Sequence, residues 1–391
     1  MQSSTSTDKS IYAGFSCPLE PLNEDFFTLL ATQYASAVID TFVEHFNAPL
    51  SSYPGVISSL QRLSGRDNTF DRIWSPALGM CAKAVISKDF EQAVNAAADL
   101  LMHATSAGLF TEWEIVLTSP RQFRLNRRLL PPRTHIQAEI RGGSAWILLG
   151  NNGSVDKIPA LFVEDDSETL FPKGTVEVPS LKLDRRIITV HAKATAGAQT
   201  TECLGFQSAI QASEETIPLF NSAIGLLKTN LCAYYLWVIR VLREIVLVRF
   251  NGYKYMPGID AWGLAYICPT RDRNIFIERI VHEIAGIYFS LLDMLGNVVS
   301  AADETYYYCP FADKMNQLNS LVKAYHAFGN VLLYYKMYAA RFGDDPTIAA
   351  RRLALHSDLK LVEGYIMESE VRLTELGWAL IEPLMRELSN D

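Results

Sequence analysis

The sequence predicts an α+β fold that is mostly helical, with a β-rich middle segment between two helical regions. Apolar residues recur at helical spacing near both ends of the chain, and they alternate with polar residues in the middle. This order favours α+β over an alternating, doubly wound sheet. The length of 391 residues favours about two to three domains. We place an N-terminal helical region at residues 1–130, a β-rich segment at 131–205 and a C-terminal helical region at 206–391.

Composition and charge narrow the possible function classes. Hydrophobic residues make up 49% of the chain and charged residues 20%, as in ordinary globular proteins. The 35 basic and 43 acidic side chains give a net charge of −8, which argues against nucleic acid or a membrane as partner. Six cysteines are scattered without a CxxC pair, and the N-terminus lacks the apolar segment of a signal peptide. We therefore expect free thiols and a cytoplasmic protein.

The first helices are predicted from one-sided apolar spacing and from capping residues. Apolar side chains of residues 24–46 fall near one helical face, and Asn23 is placed to cap that helix. A second helix is predicted over residues 88–105, opened by Ser87.

The middle of the chain has the alternation that is typical of strands. Residues 135–149 alternate and are rich in β-forming side chains, and Asn152-Gly153 is a hairpin turn signal. Shorter β-like segments are predicted at residues 160–163, 175–178 and 186–191. The small and polar residues 194–201 predict a mobile loop.

The C-terminal region is predicted to be helical again. Residues 229–250 are apolar on most sides and predict a central buried helix. Further helices, each with an amphipathic stripe, are predicted at residues 274–295, 314–341, 347–370 and 373–388.

The stretch most informative about function is His-Glu-Ile-Ala-Gly at residues 282–286. In an HExxH helix the two histidines lie four residues apart, share one face and hold one metal ion. Here Gly286 stands where the second histidine would be. Glycine inside a helix costs about 1 kcal/mol relative to alanine, which indicates close packing or room for another group beside the helix. The alternative for His282 is a buried histidine that is hydrogen-bonded to a neighbour.

The flanks of this motif resemble a known family. Residues 258–289, GIDAWGLAYICPTRDRNIFIERIVHEIAGIYF, are similar to a family of peptide modification proteins that carry an HEXXH motif. The similarity continues through residues 290–293, 307–313 and 321–328 and ends near residues 373–377. The family occurs beside genes for ribosomally made, modified peptides. Some members are β-hydroxylases of peptide side chains that depend on iron(II) and 2-oxoglutarate.

The resemblance implies roles for individual residues. His282 matches the first motif histidine, a metal ligand, and Glu283 matches the motif glutamate, whereas Gly286 leaves the second ligand absent. A histidine of the downstream helix matches either His326 or the position of Lys323, and both placements stay open. Asp293 matches an acidic position about 16 Å along the helix from His282, too far to bind the same ion.

The resemblance therefore implies a tailoring enzyme that oxidises a peptide or peptide-like natural product with iron(II) and 2-oxoglutarate. His282 and His326 are the expected metal ligands. Glu283 is expected to be the base or to accept a hydrogen bond from a metal ligand, and Lys323 a catalytic residue that contacts the substrate or cosubstrate. Two ligands bind metal weakly, since such oxygenases hold iron with about three protein groups. The alternatives are a metal-independent reaction without any cofactor, and a non-catalytic homologue that binds a peptide or partner enzyme.

One basic stretch is a candidate contact for an anionic partner. Residues 121–133 hold five arginines, which could bind an acidic leader peptide or a carboxylate cosubstrate. The alternative is a solvated surface.

Overall fold

Helices occupy both ends of the chain and strands the middle, so the predicted α+β class is confirmed. The computed structural model describes residues 10–65, 73–125, 128–151, 154–160, 171–183, 186–191, 215–248, 263–300, 305–343, 345–368 and 372–390. The predicted turn at Asn152-Gly153, the loop at 194–201 and Cys203 lie outside the described residues.

The N-terminal helices are short apart from the second. Their ranges are α1 (Ser10–Ser16), α2 (Glu24–Leu50), α3 (Val56–Ser64), α4 (Pro76–Ser87) and α5 (Phe90–Ser106). The Asn23 side chain accepts the Phe26 N–H at 3.0 Å, which confirms the predicted cap of α2. Asp89, not Ser87, caps α5, because its carboxylate accepts the N–H of Gln92 at 3.1 Å. Ser87 instead ends the preceding helix.

An antiparallel sheet follows, as the alternating middle segment predicted. It consists of β1 (Trp113–Arg121), β4 (Arg133–Arg141), β5 (Ser144–Asn151) and β6 (Ser154–Pro159), paired in that order. The strands β4 and β5 form a hairpin closed by Gly142-Gly143, whose φ values of 59° and 79° suit a tight turn only glycine adopts easily. A small sheet joins β2 (Arg124–Leu125), β3 (Arg128–Leu129) and β7 (Val176–Glu177).

A second four-stranded sheet leads into the C-terminal region. Its strands run in the order β11 (Leu264–Ile267), β10 (Glu244–Leu247), β9 (Arg186–His191) and β8 (Ser180–Leu183). The three strands β9, β10 and β11 are parallel, and β8 is antiparallel to β9. The strands predicted near residues 175–178 and 186–191 are thus observed, whereas residues 161–163 lie outside the described ranges.

The helix predicted over residues 229–250 is wrong. The chain instead forms α6 (Thr216–Asn230), bends at Leu231 with φ −133° and ψ 56°, forms α7 (Cys232–Val241) and then enters β10. All four residues of β10 are buried. A buried strand of a parallel sheet is a continuous apolar run, and periodicity alone cannot separate it from a buried helix.

The C-terminal helices are close to their predicted positions. They are α8 (Arg273–Asp293), α9 (Leu318–Phe342), α10 (Pro346–Glu368) and α11 (Glu375–Ser389). The prediction of a helix from residue 314 is wrong at its start, since β12 (Tyr306–Cys309) and β13 (Lys314–Gln317) form a hairpin there. The helix begins one residue after this hairpin.

Helix α8 lies in the centre of the core. The Tyr288 ring stacks on Trp237 of α7 at 4.5 Å and meets Phe15 of α1 edge-on at 5.8 Å. Of the helices in the described part of the chain, α2 alone is long and apolar enough to cross a membrane by length and composition. Its residues Phe27 and Phe42 are buried in the core.

The three predicted regions stay a prediction. Strand β1 belongs to the first region and pairs with β4 of the second, so the sheet crosses residue 130. The expected free thiols are found at five described cysteines, of which Cys17, Cys81 and Cys309 are buried.

Candidate functional site

The candidate site lies along the packed pair of helices α8 and α9, beside the edge strand β11. Asp272 starts α8, because its carboxylate accepts the N–H groups of Asn274 and Ile275 at 2.7 and 3.1 Å. The two helices are antiparallel, since Glu278 near the start of α8 meets Tyr335 and Phe289 near its end meets Lys323. This arrangement brings the motif residues and the downstream helix together, as the sequence predicted.

His282 lies inside the core with 3% of its surface exposed. Its ring packs at 4.6 Å on Phe328 of α9, which in turn stacks at 4.1 Å on Phe311 of the β12–β13 turn. Burial lowers the pKa of His282 to about 4; Glu278 favours the charged form, and Arg351 opposes it. The imidazole is therefore neutral at neutral pH.

A buried ionic cluster lies beside His282. The Glu278 side chain is fully buried, and Arg351 of α10 donates to its two oxygens at 2.5 and 3.1 Å. The Tyr335 hydroxyl donates to the same carboxylate at 2.7 Å. Sequence reasoning missed this cluster, although an acidic residue four positions before His282 on the same face of α8 was a usable signal.

His326 has a different environment from His282. Its Nε2 donates to the carbonyl oxygen of Phe15 at 2.9 Å, and the residue is fully buried. One turn later on α9, Asn330 Nδ2 donates to the Ser16 carbonyl at 2.9 Å. Burial lowers the pKa of His326 to about 4. Both side chains fasten α1 to α9, which is a structural role.

The described donors do not fit an iron site of the oxygenase type. The His282 ring packs on Phe328 of α9. Phe328 lies two positions after His326, which is about 200° around that helix. The imidazole rings of His282 and His326 therefore face different neighbours. Over the described ranges, no group of three or more His, Cys, Asp and Glu residues lies together in a way that could hold a metal. A facial iron site needs about three such ligands. The pairing of these histidines on one metal ion stays a prediction.

Glu283 of α8 and Lys323 of α9 lie within range of each other's charge. Glu283 faces the edge of the sheet, where the backbone N–H of Tyr266 in β11 donates to its carboxyl group. An edge strand leaves such N–H groups without a neighbouring strand, and α8 covers this one. Burial raises the pKa of Glu283 to about 8, with the Tyr266 N–H and the Lys323 ammonium opposing the shift.

Lys323 extends from α9 across the end of α8. Its amine lies 5.5 Å from the centre of the Phe289 ring and within the field of two carboxyl groups, Asp293 and Glu283. Burial lowers the pKa of Lys323 to about 8, although both carboxyl groups favour the charged amine. By surface area, both Glu283 and Lys323 are half-buried residues.

This pair can exchange protons with a ligand near neutral pH. A carboxyl group and an amine with pKa values of about 8 each carry a proton part of the time at neutral pH. Perturbed groups of this kind concentrate in functional sites, because burial there tunes their proton affinity.

The arginine-rich stretch does not form an open basic surface in the part that the structure describes. Four of its five arginines contact other groups of the protein. The contacts are Arg121 with Asp99 at 2.5 Å, Arg124 with Glu244 at 3.2 Å, Arg133 with Asp156 at 2.6 Å and Arg128 over the Phe171 ring at 4.0 Å. These internal contacts give no support to the expected binding of a leader peptide or carboxylate cosubstrate.

Comparison with known proteins adds no relative. No family model matches the sequence, and no curated protein matches it. The resemblance of residues 258–289 to peptide modification proteins therefore stays a prediction.

Proposed function

We propose that this chain is a tailoring enzyme that modifies a peptide or peptide-like natural product by proton transfer, without a metal ion. The observation that carries the proposal is the placement of Glu283 and Lys323, two half-buried residues on the packed helices α8 and α9 whose charges act on each other. The peptide nature of the substrate rests on the resemblance of the motif region. We also propose a cytoplasmic location, because the described cysteines are free thiols, as is usual in a reducing compartment.

Glu283 is the proposed general base. The Tyr266 N–H fixes its carboxyl group, and the partly buried environment raises the affinity of this group for a proton taken from the substrate. Lys323 is the proposed proton donor or cationic contact for negative charge that develops on the substrate. Phe289 forms an apolar wall beside the amine. General acid–base groups of this kind contribute rate factors of about 10² to 10⁴.

The oxidation with iron(II) and 2-oxoglutarate, expected from the resemblance, is not the reaction we propose. His326 Nε2 already donates to the Phe15 carbonyl. No group of three His, Cys, Asp or Glu side chains lies together among the described residues, whereas such an iron centre uses about three protein ligands. The chelator and iron arms of the experiment below test this expectation directly.

The test is a mass-spectrometric screen of a pooled library of synthetic peptides incubated with the purified chain. The wild type is run alone, with EDTA, and with iron(II) and 2-oxoglutarate, beside Glu283→Gln and Lys323→Met. The exposed residues Lys360 and Glu368 supply the matched controls Lys360→Met and Glu368→Gln.

The incubations are run in D₂O, and exchangeable hydrogens are returned in H₂O before the measurement. We expect a mass gain from deuterium retained at carbon that persists in EDTA, disappears in the two site variants and is unchanged in the two controls. A mass change that EDTA abolishes and iron restores would replace the proposal with the oxygenase reaction. Saturable peptide binding without any mass change would replace it with the non-catalytic homologue.

A further inference from the structure

Lys323 has the surroundings of a nucleophile as well as those of a proton donor. Most surface lysines extend their amine into water, but this side chain folds back over Phe289 and is half-buried. Glu283 of the neighbouring helix lies close enough to act on its charge. An amine that is desolvated in a partly apolar site is the setting in which lysines form Schiff bases, and a neighbouring carboxyl group can carry the proton transfers.

We propose that Lys323 forms an imine with a neutral aldehyde or ketone group of the substrate, with Glu283 transferring the protons. This inference rests on the proposed function, and it names the chemical class of the substrate. The charged groups that act on Lys323 are the carboxyl groups of Asp293 and Glu283. They disfavour an anionic carbonyl compound such as a keto acid and leave a neutral one favoured.

The step is balanced without an oxidant or reductant. The neutral amine attacks the carbonyl carbon, a C–N bond forms, and the carbonyl electron pair moves to oxygen, which takes a proton from Glu283. The nitrogen of this carbinolamine gives its proton back to the Glu283 carboxylate. The hydroxyl group then leaves as water with that same proton. Neutral amine, carbonyl and protonated Glu283 thus yield the protonated imine, the Glu283 carboxylate and one water. Asp293 stabilises the protonated imine.

The imine explains why a base lies next to the lysine. A protonated imine withdraws electrons from the carbon beside it, which makes a hydrogen on that carbon acidic. The Glu283 carboxylate is placed to remove this proton, which is the transfer that the proposed function assigns to it. The lowered pKa of Lys323, about 8, leaves part of the amine neutral and nucleophilic at neutral pH.

The test is reductive trapping with butanal, a neutral aldehyde, and cyanoborohydride at pH 7.5, followed by peptide mapping. Lys360, whose side chain is 53% exposed on α10, is the internal reference lysine. We expect Lys323 to be butylated at least about tenfold faster than Lys360, and Glu283→Gln to slow only Lys323, by about tenfold or more. Lys323→Met should remove this adduct, and Lys360→Met should leave it. Circular dichroism and the Tm of each variant verify that it folds.

Glyoxylate, an anionic aldehyde, is the second probe in the same experiment. We expect it to label Lys323 at least about tenfold more slowly than butanal does, relative to Lys360. Labelling of Lys323 no faster than Lys360 by butanal would overturn the proposal. Equal labelling by both aldehydes would overturn the assignment to neutral carbonyl compounds.

The failure of this inference is distinguishable from failure of the proposed function. Peptide products that require Glu283, without a trapped adduct at Lys323, would refute only the imine. A trapped adduct without any peptide product would refute the proposed peptide modification and leave the imine in place.

Discussion

Glu278 is the buried residue whose ionic contacts hold the surroundings of His282. Arg351 reaches it from α10 with two hydrogen bonds, and Tyr335 adds a third. A buried carboxylate is costly unless it is paired in this way, so removal of a partner is worse than removal of the whole pair. His282 and this cluster are adjacent, which makes the cluster part of the site's framework.

Arg351→Met should destabilise the protein strongly. The substitution removes the cation that pairs with the buried Glu278 carboxylate, and we expect a loss of about 3 kcal/mol in the free energy of unfolding. Urea denaturation measures it, with Lys360→Met as the exposed control. The double variant Glu278→Gln/Arg351→Met should recover part of the loss. A double variant less stable than Arg351→Met would contradict this account.

His282 should make the protein less stable as the pH falls. Its pKa is 6.5 when unfolded and about 4 when folded. Between these two pH values the unfolded state binds more protons, so the free energy of unfolding decreases as the pH decreases. The slope is about 1.4 kcal/mol per pH unit. Glu283, whose folded pKa is raised, acts in the opposite direction above pH 4.5.

The difference between wild type and His282→Phe isolates the histidine. Urea midpoints are measured for both proteins at pH values of about 4.5, 5.5, 6.5 and 7.5. The midpoint of His282→Phe minus that of the wild type should increase as the pH falls. Parallel pH profiles for the two proteins would mean that the folded His282 accepts a proton as easily as the unfolded one does.

Among the elements, the β12–β13 hairpin covers His282 through two aromatic rings. Phe311 at its turn stacks on Phe328, which packs on the imidazole. Phe311→Ala should therefore open a path to His282 and increase its modification by diethyl pyrocarbonate, measured by peptide mapping. Tyr306→Ala, on the exposed face of the same hairpin, is the matched control and should leave the labelling unchanged. Equal labelling of His282 in both variants would show that Phe311 does not shield it.

Helices and strands were predictable where a local sequence pattern distinguishes one from the other. The cap at Asn23, the alternation of residues 135–149 and the helical form of α8 were predicted correctly because each has a local cause. Strand β10 was mistaken for helix, because its four buried residues follow α7 after a break of only two residues. Such apolar runs acquire their form from the sheet they join, which is a tertiary effect.

In the candidate site, residue types were predictable but contacts were not. The sequence predicted Glu283 and Lys323 as catalytic residues, which stays a prediction; in the structure their charges act on each other. It did not predict that His326 would donate to Phe15, because these residues lie 311 positions apart and only the packing of α1 joins them. Long-range hydrogen bonds of this kind leave no local pattern.

Helix α1 should depend on Asn330 for its attachment. Asn330→Leu leaves the buried Ser16 carbonyl without its donor, and we expect a loss of about 2 kcal/mol in the free energy of unfolding. Hydrogen exchange of residues 11–17 should become faster, whereas the exposed control Asn297→Ala should exchange as the wild type does. Exchange in α1 that is unchanged by Asn330→Leu would contradict this role.

At the scale of the whole molecule, polar contacts join the first and the third of the regions that the sequence predicted. The fully buried Glu244 of β10, in the third region, forms an ion pair at 3.2 Å with Arg124 of the first region. Trp74 donates through its indole N–H to the Val241 carbonyl at 2.8 Å. The buried apolar residues form one cluster that runs from α1 to α11. These contacts favour a single cooperative unit over independently stable regions.

Arg124→Met tests whether the chain unfolds as one unit. The substitution leaves Glu244 buried without its ion-pair partner, and we expect a loss of about 3 kcal/mol in the free energy of unfolding. If the regions are cooperative, scanning calorimetry of the wild type shows one transition, and in the variant that whole transition moves to lower temperature. Arg62→Met, a control in the same region that removes a hydrogen bond to the Phe110 carbonyl near the surface, should shift it less. Two transitions, with only one displaced by Arg124→Met, would instead mean that the predicted regions are separate domains, each with a core that remains folded when the other has melted.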